Sequence, residues 1–143
     1  MKIIVLNGPN LNMLGKRDPN YYGKLTLENI CSKLESEFPD VEFEFFQSNI
    51  EGELVNKIQV VNEDFDGLLI NPGGYAHTSV AIRDALDLVK IPKIEVHLSN
   101  ISKRENFRQT LITASVCDGY ISGFQELSYM AGVYLLIKIL KRI

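Results

Sequence analysis

The chain is poor in the residues that organise several classes of protein. Among its 143 residues are only 2 cysteines and 2 histidines. Cys31 and Cys117 are too few for a disulfide scaffold and lack metal-ligand spacing, so neither a disulfide nor a metal is expected. No GxGxxG or Walker loop occurs, which removes the motifs for dinucleotide and nucleotide phosphates, and no GxSxG elbow is present. Positive charge is also scarce. Fifteen Lys and Arg face 18 Asp and Glu, for a net charge of −3, so no basic field favours nucleic acid. A few local arginines could still hold a small anion. The apolar run at Ile3–Leu6 is too short for a signal peptide. The stretch Ala131 to Leu140 is too short to span a bilayer and contains Lys138. A cytoplasmic, reduced protein with no membrane partner is expected, and the sequon Asn100-Ile101-Ser102 is then a chance match.

What is abundant is branched aliphatic residue. Leu, Ile and Val number 17, 15 and 10, which supports a packed core rather than disorder. The length suits one domain over 1–143 and is too short for a (β/α)8 barrel, which needs about 250 residues. Short β-rich runs at Ile3–Asn7, Val41–Gln47, Gly67–Asn71, Lys93–His97 and Gly119–Ser122 alternate with helical patterns. Ile3–Leu6 and Leu68–Ile70 are continuously apolar, as in strands covered on both faces. Val41-Glu42-Phe43-Glu44-Phe45 alternates, as at a sheet edge with one wetter face.

Thr26 caps a predicted helix bearing Leu27, Ile30, Cys31 and Leu34, which places Cys31 in the core. A second helix is predicted over Glu51 to Asp64. A third is capped by Thr78 or Ser79 and stops before Pro92, and a last one runs from Phe124 to Arg142. This alternation predicts an α/β fold: a flavodoxin-like doubly wound sandwich on a five-stranded parallel sheet of order 2-1-3-4-5. Ligands of such sheets sit outside the carboxyl ends of the strands, where the strand order reverses.

Those strand ends collect the chemistry. The segment Gly8 to Gly23 is too long for a routine βα connection, and such loops often act as lids. It carries Arg17 and the adjacent Tyr21 and Tyr22. Strand 3 ends in Asn71-Pro72-Gly73-Gly74-Tyr75-Ala76-His77-Thr78-Ser79, a tight turn leading into a helix N-terminus. Strand 4 ends in Glu95-Val96-His97-Leu98-Ser99-Asn100. Both histidines therefore fall at carboxyl ends of central strands. Arg104 and Arg108 are four apart and would share one helical face. The run Gln47-Ser48-Asn49 after strand 2 reads equally well as a helix cap. Tyr, His, Arg, Asn and Ser in one crevice suit cofactor-free proton transfer on a hydroxylated, anionic small molecule.

The motifs at these ends resemble those of type II 3-dehydroquinate dehydratase (type II dehydroquinase), a hydro-lyase family of the shikimate pathway. They are Gly8-Pro9-Asn10-Leu11-Asn12, Gly15-x-Arg17-x-Pro19-x-x-Tyr22-Gly23, Gln47-Ser48-Asn49-x-Glu51-Gly52, Asn71-Pro72-Gly73-x-Tyr75-x-His77-Thr78-Ser79, Ala81-Ile82-Arg83-Asp84-Ala85, and Glu95-Val96-His97-Leu98-Ser99-Asn100 with Arg104-Glu105-x-Phe107-Arg108. The resemblance implies elimination of water from 3-dehydroquinate, giving 3-dehydroshikimate through an enolate, without a cofactor. It implies Tyr22 as the base, Arg17 as its cation, Asn10 as holder of a water at the enolate oxygen, and His97 as the acid, oriented by Glu95. A free phenol titrates near pH 10, so a tyrosine base near neutrality needs roughly 4 kcal/mol of help from a cation.

The backbone of Leu98 and Ser99 resembles the family's carboxylate cradle, and Asn71, His77 and Arg108 resemble its other substrate ligands. Asp84 resembles a residue that reaches in from a neighbouring subunit, which implies trimers assembled into a dodecamer. The Tyr-Gly spacing selects Tyr22 over Tyr21. The sequence departs from the family pattern at Gln59, Gly74, Ala76, Phe124 and Ser128. A Schiff-base enzyme making the same product needs a reactive Lys, and its known family a longer barrel. A receiver domain needs acidic residues after strand 1, where this chain has Asn7-Gly8-Pro9.

Overall fold

The computed structural model describes all of residues 1–143. Five parallel strands form one sheet: β1 (Lys2–Asn7), β2 (Glu42–Gln47), β3 (Gly67–Asn71), β4 (Lys93–His97) and β5 (Gly119–Ser122). Their order is β2-β1-β3-β4-β5, as the alternation of elements predicts. The registers Asn7↔Gln47 and Asn7↔Asn71 align the carboxyl ends of the first three strands at one level. The chain leaves β1 toward β2 on one side and returns to pair β3 on the other, so the order reverses between β1 and β3.

Alternate residues of the central strands enter two separate cores. Ile3 and Val5, with Leu69 and Val96, pack beneath α2 (Leu27–Glu37) and α6 (Glu126–Leu140). Ile4 and Leu6, with Leu68 and Ile70, pack beneath α3 (Glu51–Gln59), α4 (Val61–Asp64) and α5 (Val80–Asp87). Thr26 opens α2 with a capping box shared with Asn29, and Ser79, rather than Thr78, caps α5 by accepting from the Ile82 N–H. No helix is long and apolar enough to cross a membrane.

Three local expectations change. The helix over 51–64 breaks at Val60, where φ is −104° and ψ −1°. Beyond the break Val61 is buried, and the Asn62 amide accepts from Lys90 N–H and donates to Leu88 C=O across the α5 end. Docking that amide rotates the last turn out of line. Cys31 is half-buried, because α2 turns Ile30 and Leu34 into the core instead. Arg104 and Arg108 do not share a helix. Two short 3-10 turns, Ile101–Lys103 and Asn106–Arg108, are separated by extended backbone at Arg104 and Glu105. The Gly8–Gly23 segment is not plain coil: it holds a 3-10 turn at Leu11–Met13 and a four-residue helix, α1 (Pro19–Tyr22), capped by Asp18.

Candidate active site

A cleft of about 100 Å³ opens at the carboxyl ends of β1, β3 and β4. Nine of the ten residues expected at the site line it: Asn10, Arg17, Tyr22, Asn71, His77, His97, Leu98, Ser99 and Arg108. Asp84 does not. It is exposed on α5, ion-paired to Arg83 at 3.0 Å, and faces a separate shallow groove with Val80 and Thr110 to Ile112. Tyr22 is half-buried in the cleft, whereas Tyr21 is exposed outside it and meets Tyr22 edge-on at 6.1 Å.

Beneath the cleft floor at Asn71 lies a buried polar chain at the switch point. The Tyr129 hydroxyl, on α6, donates to Asn7 Oδ1 at 2.6 Å and accepts from Asn71 Nδ2 at 2.8 Å. Asn71 Oδ1 accepts from the Gly73 N–H at 3.1 Å, so the Asn71 amide is held at both ends. Burial pushes the Tyr129 phenol well above its ordinary value, with the Asn71 bond opposing, so it stays protonated. Asn10 adopts a left-handed φ of 68°, a region Asn tolerates better than most residues. Asn49 pins it there by accepting the Asn10 N–H at 3.0 Å, and the Tyr75 hydroxyl donates to the Asn49 carbonyl at 2.8 Å. The polar run after β2 is therefore a brace for Asn10, and Asn49 stands behind the cleft, not in it.

The two histidines are fixed from opposite ring atoms. His77 Nδ1 lies 2.9 Å from the Thr110 carbonyl, which can only accept, so Nδ1 carries the proton. His97 Nε2 lies 2.6 Å from Glu95 Oε1, a fully buried carboxylate. That leaves His97 Nδ1 without a partner in the chain. The rings stack at 6.4 Å and 25°. Burial, with His97 and Arg108 adding to it, lowers the His77 pKa despite the Thr110 bond, so His77 is neutral near pH 7. The N–H groups of Leu98 and Ser99 donate to no other group in the chain.

Three guanidinium groups enclose the other side. Arg17 lies over the Tyr22 ring at 3.6 Å from its centroid, and Arg104 lies 5.1 Å from the same ring and 4.6 Å from that of Tyr21. Burial lowers the Arg17 pKa, with Tyr22 opposing that effect. Arg108 Nε bonds Glu105 Oε2 at 2.8 Å, and that carboxyl is held below its usual range by its own backbone N–H and by Arg108. Arg104 is the site residue that the motifs quoted above contain but give no role. Its side chain is 8% exposed, its Nε is buried without a hydrogen bond, 3.6 Å from Glu105 Oε2, and one terminal N–H donates to Ser99 Oγ at 3.2 Å. The signal for it was its four-residue spacing from Arg108. No group of three His, Cys, Asp or Glu side chains converges anywhere in the chain. Of the departures, Gly74 lines the cleft with open space where a Cβ would stand, and Ser128 Oγ accepts the Phe124 N–H at 3.2 Å.

The fold and this cleft define a doubly wound α/β protein whose strand ends gather acid–base groups around an anion-sized pocket. Comparison with known proteins gives the family. The model of the family "Dehydroquinase class II" matches residues 1–137, and the chain belongs to that family. It is 54% identical to the 3-dehydroquinate dehydratase of Carboxydothermus hydrogenoformans, over 99% of this chain and 94% of that one. It is 51% identical to the enzyme of the same name from Thermotoga petrophila, over 100% and 99%. A crystal structure of type II dehydroquinase from Butyrivibrio crossotus superposes with a TM-score of 0.93 at 45% identity, covering 96% of this chain and 97% of that one.

Proposed function

We propose that this chain eliminates water from 3-dehydroquinate with Tyr22 as base and His97 as acid. Family membership makes it a 3-dehydroquinate dehydratase of the type II class, a hydro-lyase. The observation that carries the residue-level reading is the convergence of Tyr22, two guanidinium groups and the Glu95–His97 pair on one cleft. Tyr22 takes the proton beside the ketone, leaving an enolate. Arg17 and Arg104, packed on the phenol ring, stabilise negative charge there and on the developing enolate. Asn10 holds a water against the enolate oxygen.

His97 acts as imidazolium. Its Nε2 proton stays with Glu95, and its Nδ1 proton goes to the departing hydroxyl, which leaves as water. The free N–H groups of Leu98 and Ser99 receive the substrate carboxylate. Asn71, His77 and Arg108 bind the remaining hydroxyls and carboxylate oxygens. The reading takes residues 1–143 as one catalytic domain and places it in the cytoplasm, where its two free thiols stay reduced.

Assembly belongs to the same proposal. Asp84 reaches a neighbour's site across a trimer contact, and trimers build a dodecamer. Support comes from the exposed apolar side chains Val80, at the start of α5, and Leu88, just beyond its end, on either side of Asp84, and Leu127 and Tyr134 on α6. The test of the chemistry is the ultraviolet absorbance of the conjugated enone formed from 3-dehydroquinate. Tyr22→Phe abolishes its appearance, and Tyr21→Phe retains most of it. Equal losses in the two variants overturn the base assignment.

A further inference from the structure

We propose that Thr113 is a positioning residue for His97. Through Glu95 it fixes the plane of the imidazole and keeps the Nε2 proton in place, so that Nδ1 faces the cleft. The inference rests on the reading of His97 as the acid. Thr113 touches neither the cleft nor the ring, and no motif pointed to it. It is fully buried, as is Glu95. Its hydroxyl donates to Glu95 Oε2 at 2.7 Å, while the other oxygen, Oε1, holds His97 Nε2 at 2.6 Å.

A buried carboxylate needs a partner on each oxygen, and its terminal torsion is broad. The hydroxyl therefore fills one oxygen and stops the carboxylate from turning. Thr113 is itself placed by the sheet-end turn before α5. The N–H groups of Ile112 and Thr113 donate to the Ala76 carbonyl at 2.9 and 3.4 Å. Three residues upstream, the Thr110 carbonyl fixes His77 Nδ1. The irregular segment 110–113 is thus one bracket holding both histidines, one through a carbonyl and the other through a hydroxyl and a carboxylate. Two other polar side chains face the segment and both bond its carbonyls, the Ser115 hydroxyl donating to Ile112 at 2.6 Å and the Cys117 thiol to Thr113 at 3.6 Å, which leaves the Thr113 hydroxyl free for Glu95.

Thr113→Val keeps the shape and removes the donor, and Thr113→Ala removes it without placing a methyl group against the carboxylate. Both lower kcat roughly tenfold, the loss of one buried hydrogen bond to a charged group, while KM changes less than about twofold. Thr113→Ser restores kcat to within about threefold. Because the chain has 2 histidines, imidazole nitrogen spectra of the substrate-free, 15N-histidine-labelled protein resolve each ring. At a pH where both imidazoles are neutral, the valine and alanine variants mix the His97 tautomers and leave His77 unchanged, since the Thr110 carbonyl remains. In a Glu95→Ala background, Thr113→Val has no further effect on kcat.

The proposal is overturned if the donor-less variants keep wild-type kcat and His97 nitrogen shifts. It is equally overturned if Thr113→Ser is as impaired as Thr113→Val, or if Thr113→Val costs the same with Glu95 absent, since packing alone would then account for the loss. A His97→Gln enzyme with full kcat refutes the acid assignment instead. The substrate-free spectra do not depend on that assignment, so the two failures are separable.

Discussion

Replacing Tyr129 with Phe removes one oxygen from beneath the floor of the cleft and nothing else. The ring stays in the α6 core, and its position is fully buried. The lost hydroxyl bridges Asn7 Oδ1 at 2.6 Å and Asn71 Nδ2 at 2.8 Å. Both asparagines are nearly inaccessible, at 1% and 3% exposure, so water does not readily replace it. Each of the two orphaned polar groups costs about 1–3 kcal/mol, giving a destabilisation of roughly 2–6 kcal/mol. For a chain of this length each kcal/mol lowers Tm by about 3–4 °C, so Tm falls by roughly 6–24 °C.

Calorimetry at fixed protein concentration measures that shift. Steady-state kinetics supplies an independent check. With one tether of Asn71 gone, KM for 3-dehydroquinate rises about threefold to tenfold, more than kcat falls. A Tm within about 2 °C of wild type, with KM unchanged, refutes the idea that this hydroxyl holds the floor together.

Arg17→Ala lowers kcat far more than it raises KM, because the charge over Tyr22 acts on the phenolate and the developing enolate; a pure KM effect in steady-state kinetics counts against that role. Asp84→Ala impairs turnover although Asp84 is outside its own chain's cleft. Mixing it with inactive Tyr22→Phe chains under subunit exchange recovers activity above the parental average, and a strict average after proven exchange shows that Asp84 acts in its own chain. The His77 pKa is lowered from 6.5 in the folded state, so the unfolded chain takes up that proton first. Stability is full above about pH 6.5 and is lost on acidification below it. Denaturant titrations across that window are shallower in pH for His77→Gln, and an unchanged slope rejects the linkage.

The strands were legible because each is a short branched-aliphatic run closed by turn residues. Gly67–Asn71, Lys93–His97 and Gly119–Ser122 are bounded in the structure as the pattern bounds them. The switch-point rule then led to the cleft and to both histidines. What escaped depends on contacts between segments far apart in the chain. Nothing local to residues 51–64 breaks their helical period; Asn62 does so by docking on the end of α5. The four-residue spacing of Arg104 and Arg108 suggests a helix, but the extended backbone at Glu105 sends them to the cleft by another path. Tyr129 sits in an apolar helix and reads as one more core aromatic, since its partners are 58 and 122 residues away. Asn49 lies in a run that reads equally well as a helix cap, and Thr113 carries no signal of its own, because each acts on a site residue from behind.

The proposed base and the proposed acid are built on ground of very different firmness. His97 ends a central strand and is locked to a carboxylate at zero exposure. Tyr22 rides on α1, four residues long, with no fully buried residue and capped only from within by Asp18; it meets the body through the half-buried Tyr22 ring at the edge of the core, Arg104 on that ring, and a long bond from the Gln125 amide to the Pro19 carbonyl at 3.4 Å. Such a segment opens at a small fraction of the free energy that unfolds the sheet. Warming or mild urea will therefore silence the enzyme while its far-ultraviolet dichroism is still intact, and cooling or dilution will bring turnover back at once. Amide exchange will be fast at Asn20 to Tyr22 and slow at Glu95 to His97. The working range of the catalyst is set by its weakest turn, well inside the range over which the fold survives.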